Sequence, residues 1–219
     1  MQIDLTPTLW TPTLCLKGGV GKTTIAVNLA IASSMRGKST VLIDADEQAT
    51  VTLFTEIREQ EINDAGYSCV GVKGAQVRSQ GLKLAEKFDT TVIDCGGRDT
   101  DSFRAALTIC DTLIIPIPPR SFDFWAITKL VRLLDEVETI RELPEIYALI
   151  NMADPTGSDN QEVMDALEDY SQINVLDDVL VRRKAWPNSA SKGLSVFEQS
   201  SKDKKAVNEF DQIVKSILE

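Results

Sequence analysis

The apolar residues of this chain follow two alternating rhythms. Short runs in which nearly every position is apolar or β-branched occur at 13–16, 40–43, 68–72, 90–93, 112–117, 146–150 and, with more interruption, 175–181. Between them lie longer segments with apolar residues three and four apart, clearest at 122–140, where Ile127, Leu130, Val131, Leu134 and Val137 recur at helical spacing. Strands that are apolar on both faces need cover on both faces, and a helix after each strand supplies it. The pattern therefore predicts one α/β domain over residues 1–219, a mostly parallel, twisted sheet of about seven strands flanked by helices on both faces. Pro118 and Pro119 break the chain before the helix at 122–140, and residues 154–159 read as a surface loop. Residues 1–12, interrupted by Pro7 and Pro12, read as an irregular segment with no room for a helix-turn-helix domain.

Composition narrows the chemistry. At 219 residues and 43% hydrophobic content the chain can bury one large core. No apolar run approaches the roughly 18 residues of a membrane span, and the first ten residues lack the basic cluster of a signal peptide. A cytoplasmic protein is expected. Cys15, Cys69, Cys95 and Cys110 form no CxxC pair, which suits reduced, packed thiols. Histidine is absent, so carboxylates, lysines and backbone amides must carry any reaction. The net charge of −10 is unevenly spread: Arg182, Arg183, Lys184, Lys192, Lys202, Lys204 and Lys205 face only Glu198 and Asp203 in one stretch, whereas residues 155–181 contain no basic side chain. Such a stretch is either an anion-binding surface or a solvated helical face.

The strongest local signal follows the first apolar run. Gly18, Gly19 and Gly21 lie between that short strand and a helix expected over 23–35, where small residues let backbone N–H groups close around a phosphate. Lys22 would pair with the β and γ phosphates, and the Thr23 hydroxyl would reach Mg²⁺. The loop departs from the general pattern GxxxxGK[ST], because Leu16 stands where the first glycine belongs.

With its additional lysine, the run Lys17, Gly18, Gly19, Val20, Gly21, Lys22, Thr23 and Thr24 resembles the deviant Walker A motif of the ParA/MinD superfamily of P-loop ATPases. The likeness extends from Leu14 to the C-terminus. It includes Asp44 and Asp46 after one apolar run, Asp94, Cys95, Gly96 and Gly97 after another, and Ala148, Leu149, Ile150 and Asn151. Gly193, Leu194, Ser195, Val196, Phe197 and Glu198 resemble the G-x-S-V-x-E stretch of small plasmid-partition, ParF-like ATPases. The resemblance implies that Lys17 reaches the nucleotide of a second subunit, that Asp46 orients the attacking water, and that Asp44 supports the metal shell. It further implies that Asp94 contacts Mg²⁺, that Gly96 and Gly97 sense hydrolysis, and that Asn151 touches adenine. Glu47 in place of the family's proline, and Leu16 in place of a polar residue, bear on loop geometry and hydrolysis rate.

A protein of this kind is a DNA-partition or cargo-positioning ATPase with weak intrinsic activity and ATP and Mg²⁺ as cofactors. The resemblance implies an ATP-dependent homodimer, non-specific DNA bound on the nucleoid through the basic stretch, and a ParB-like partner that stimulates hydrolysis. Two alternatives share the fold. A MinD-like protein would bind membrane through its final helix, where Val207, Phe210, Ile213, Val214 and Ile217 form a stripe, and a carboxysome-positioning or protein-cluster-positioning ATPase would carry other cargo. An iron protein bridging a cluster through cysteines would need Cys95 and Cys110 placed otherwise, since Cys95 abuts Asp94.

Overall fold

The computed structural model describes residues 8–12, 19–96, 100–119, 124–156 and 158–218. Within them the chain alternates strand and helix, in the order β1 (Thr8–Pro12), α1 (Lys22–Met35), β2 (Thr40–Ala45), α2 (Thr50–Ile62), β3 (Ser68–Gly71), α3 (Gln76–Ala85), β4 (Thr90–Cys95) and α4 (Asp101–Leu107). It continues through β5 (Thr112–Ile117), α5 (Phe124–Glu138), β6 (Glu145–Ala153), α6 (Asp159–Leu167), β7 (Asn174–Val175), β8 (Leu180–Val181), α7 (Ala185–Ala190) and α8 (Lys204–Leu218). Every strand pairing is parallel, in the spatial order β3-β2-β4-β1-β5-β6-β7, with β8 also on β6.

The unbroken apolar runs are the strands buried on both faces: every residue of β2, β4 and β5 is buried. Val41, Ile43, Ile93 and Ile115 pack with α3, α4, α5 and α6 on one face; Leu42, Val92, Ile114 and Leu149 pack with α1, α2 and α8 on the other. Helix α1 is buried continuously from Ile25 to Ser33, so it is covered by α8 as well as by the sheet. Phe210, Ile213, Val214 and Ile217 of α8 are buried in that same layer, where Trp186 meets Phe210 edge to face and Phe197 meets it at a tilt, with ring centroids 5.6 and 5.8 Å away. The stripe that could have served a membrane is spent inside the domain.

Two strands differ from expectation. The first lies at Thr8–Pro12, inside the segment read as irregular, while 13–16 falls outside the described residues. It is central, with Thr8, Leu9 and Trp10 beside β4 and Trp10, Thr11 and Pro12 beside β5. Pro12 is its last residue, where a missing N–H removes at most one ladder bond. The run at 175–181 is two short strands, β7 against Tyr147 and Ala148 and β8 against Asn151 and Ala153, with an irregularity in β6 between those last two.

An ion pair between buried Arg58 and half-buried Glu198 ties the C-terminal third to α2. The Arg58 guanidinium gives its Nε to the Ala65 carbonyl at 2.7 Å and a fork to Glu198 at 2.8 Å on each oxygen, and it also donates to the Gly193 carbonyl at 2.9 Å. Gly193 has φ +63°, and a β-carbon there would lie 2.4 Å from the Arg58 nitrogen, so only glycine fits. Removing one partner of a buried pair strands the other charge. Arg58→Ala is expected to lower unfolding free energy by about 3 kcal/mol, read from urea denaturation.

Candidate phosphate and metal site

A parallel sheet brings the C-terminal ends of its strands to one edge, the usual ligand edge of open α/β sheets. Here that edge carries the glycine loop, and it sets Asp44 and Asp94 side by side as register partners of β2 and β4.

The loop enters α1 through Gly21 in the left-handed region at φ +92°. A β-carbon at Gly21 would lie 2.3 Å from the Asn151 side-chain nitrogen, which excludes any larger residue. Asn151 donates to the Val20 carbonyl at 2.7 Å, so its amide braces the loop from below. The bond joins the residue expected at adenine to the phosphate loop itself. No side chain caps the start of α1, and its first turn contains no acidic residue. The free N–H groups and helix dipole of that turn, with buried Lys22 as its first residue, make an anion-binding end.

Thr23, one residue further, donates its hydroxyl to Asp94 at 2.6 Å. Asp94 is fully buried, and its other oxygen has no hydrogen-bond partner among the described residues. Burial pushes its pKa up to about 7, with the Thr23 bond and nearby Lys22 pulling the other way. A carboxylate held dry with an unpaired oxygen is costly in its bare ionised state, so it favours a proton or a cation. The hydroxyl and carboxylate oxygens are hard donors that fit Mg²⁺, which commonly takes one or two carboxylates and completes its shell with water and nucleotide phosphates. Among the described residues no cluster of three or more His, Cys, Asp or Glu could hold a metal by itself.

The other carboxylates are placed differently from each other. Asp44 accepts the Thr52 amide at 2.8 Å and the Thr52 hydroxyl at 2.7 Å on one oxygen, and the Asp46 amide at 3.3 Å on the other. The Thr52 bonds staple the first turn of α2 to β2. Half-buried Asp46 accepts the Gln48 amide at 3.0 Å. It rests against Gly96, where a β-carbon would come within 3.3 Å of its carboxylate, so the segments that follow β2 and β4 touch. Lys17, Gly18 and Gly97 lie outside the described residues.

The basic stretch is exposed at all but one of its basic positions. Arg182, Lys184, Lys192, Lys202, Lys204 and Lys205 are exposed, but Arg183 is drawn inward to Glu209 by two hydrogen bonds. Arg182 lies beside the phosphate loop: its backbone N–H donates to Ala153, and its guanidinium is 3.8 Å from the sulfur of Met152, whose φ is +56°. The Met152 methyl lies 3.8 Å from where a Gly21 β-carbon would stand. Cys95 and Cys110 are buried in the core. Three residues that the sequence reading did not single out complete the surroundings: Thr52, Arg58 and Asn28, the last buried in α1 and bonded to the Thr24 carbonyl at 2.7 Å and the Val196 amide at 3.1 Å.

Comparison with known proteins matches residues 14–196 to the CobQ/CobB/MinD/ParA nucleotide binding domain. The chain is 27% identical over 205 residues to maintenance of carboxysome distribution protein A of Halothiobacillus neapolitanus, covering 93% of each. It is 23% identical to the sporulation initiation inhibitor protein Soj of Bacillus subtilis, over 83% of this chain and 87% of Soj. Its fold resembles the ATP complex of a Cyanothece McdA variant, with a TM-score of 0.77 at 16% identity over 97% of this chain and 96% of the other.

The Asp94 shift has a sign. The native carboxyl keeps a proton that the unfolded chain releases, so its contribution to stability is present at low pH and is lost as pH rises through about 7. In nucleotide-free protein with chelator, Asp94→Asn lacks this loss. Its urea-measured stability should gain on the parent by about 1 kcal/mol per pH unit between pH 5 and 6.5, then level off above pH 7.

Proposed function

The chain belongs to the CobQ/CobB/MinD/ParA family of nucleotide-binding domains, and from that premise we propose that it is a ParA-type ATPase that positions cargo by cycling between nucleotide states. The observation that carries the reading is the Thr23–Asp94 pair, with its unpartnered buried oxygen, beside an uncapped helix start that holds Lys22.

Lys22 and the first-turn amides of α1 bind the β and γ phosphates, and Thr23 and Asp94 hold Mg²⁺, which screens phosphate charge when bound. Asp46, at the rim beside Gly96, orients the water that attacks the γ-phosphate. Asp44 acts through the Thr52 staple, fixing the turn that carries Asp46. Lys17 completes the site of a second copy, so ATP drives homodimerisation. The dimer binds DNA non-specifically through exposed Lys184, Lys192, Lys202, Lys204 and Lys205, and a ParB-like partner triggers hydrolysis and release. Similarity to proteins named for carboxysome distribution and chromosome partitioning supports cargo positioning. A membrane-bound cycle is less well supported, because the apolar face of α8 is buried in its own domain, and among the described residues no helix is long and apolar enough to cross a membrane.

Lys22→Ala should abolish binding of a fluorescent ATP analogue. Lys17→Ala should still bind it yet stay monomeric with ATP in light scattering; a Lys17 variant that dimerises normally sinks the trans role. Converting Lys202, Lys204 and Lys205 to Gln should flatten the salt dependence of binding to duplex DNA, lowering the slope of log affinity against log salt by about 2 to 3 for each subunit in contact with DNA, with nucleotide affinity unchanged. An unchanged slope moves the DNA surface elsewhere.

A further inference from the structure

The stretch Gly193 to Glu198, singled out in the sequence, plays no part in the chemistry above, yet its backbone is gripped from two sides. On one side Asn28, a turn beyond Thr24, accepts the Val196 amide at 3.1 Å while giving its own N–H to the Thr24 carbonyl at 2.7 Å. On the other, Arg58 of α2 holds the Gly193 carbonyl and both oxygens of Glu198, and Glu198 accepts the Ser195 amide at 2.9 Å. Asn28, Arg58 and Ser195 are all buried, and Gly193 admits no side chain against Arg58. Both gripping helices start at the nucleotide edge. Helix α1 begins at Lys22 with Thr23 on Asp94, and α2 begins behind the Asp46 turn with Thr52 on Asp44. Asn28 and Arg58 stand about 9 and 12 Å along those helices from their starts. Lys192 immediately precedes the gripped stretch, and Lys202, Lys204 and Lys205 follow it.

We propose that Asn28 and the Arg58–Glu198 fork form a two-sided clamp through which the nucleotide-dependent placement of α1 and α2 sets the position of residues 193–198 and hence of the lysines flanking them. The clamp is a positioning device. It explains why one segment is bonded to both helices that leave the site, and it would make affinity for a polyanion depend on the bound nucleotide. It rests on the ATP-binding reading, and its DNA arm rests on the proposed DNA surface.

Hydrogen exchange of the full chain separates these dependencies. In the parent protein, ATP with Mg²⁺ should slow amide exchange across 193–198, at Val196 above all, by about tenfold relative to ADP. Unchanged exchange there, in protein shown to bind ATP, overturns the clamp whatever DNA does. Glu198→Gln and Asn28→Ala should each bind ATP within about twofold of the parent but lose the ATP-specific protection. On a non-specific duplex, their ATP-to-ADP affinity ratio should fall toward one. A folded variant that keeps the parent's protection and ratio overturns the proposal. If the parent shows the protection change but no DNA binding, the clamp stands and the DNA surface falls. Thermal melting checks that each variant is folded; should one fail, the other variant and the parent's exchange still decide.

Discussion

One carboxylate, carried by β4 to the end of a fully buried strand and given only half of its hydrogen bonds, is the constraint around which the ligand edge is arranged. Asp94 can be reached by no water-rich surface, so the protein must meet its charge from within the site: the Thr23 hydroxyl on one oxygen and a place for a cation or proton at the other. That requirement fixes the start of α1, because Thr23 must face β4. It also fixes the path of the glycine loop, which has to turn into the helix within van der Waals reach of Asn151. The sheet order then follows a simple logic, with the loop-bearing β1 between β4 and β5 and the two acidic strand ends adjacent.

Much of this arrangement was legible before any coordinates. The runs at β2, β4 and β5 are apolar without alternation because helices cover both faces, and continuous apolarity is what a reader of sequence can see. The glycines, Lys22 and Thr23 were legible because phosphate binding demands particular residue types at close spacing. Strand β1 was not. Threonines and prolines give it an unpromising local signature, and its place is decided by two neighbours that offer ladders on both sides, a tertiary effect that outweighs propensity.

The clamp residues show where sequence reading stops for a physical reason. Arg58 belongs to a helix rich in charge, where nothing local sets it apart, while groups that bury it are 135 and 140 residues away. Asn28 did leave a trace, as the one polar side chain in the apolar run from Ile25 to Ala32, and a polar residue in a wholly buried turn must have a partner. Asp44 was recognised but its partner was not. Two carboxylates after a strand look alike in sequence, and the turn that hands one of them to Thr52 contains no glycine to announce it, since Ala49 itself takes the left-handed conformation.

That turn limits how the site can move. Ala45 closes β2 and Thr50 opens α2, and the Thr52 staple welds the two elements together, so Asp46 rides on a tether of four residues pinned at both ends. A span so short leaves little slack between the carboxylate and the helix, so a shift of one tugs the other. The turn therefore works as a bell crank, handing a displacement at the ligand edge to the helix behind it.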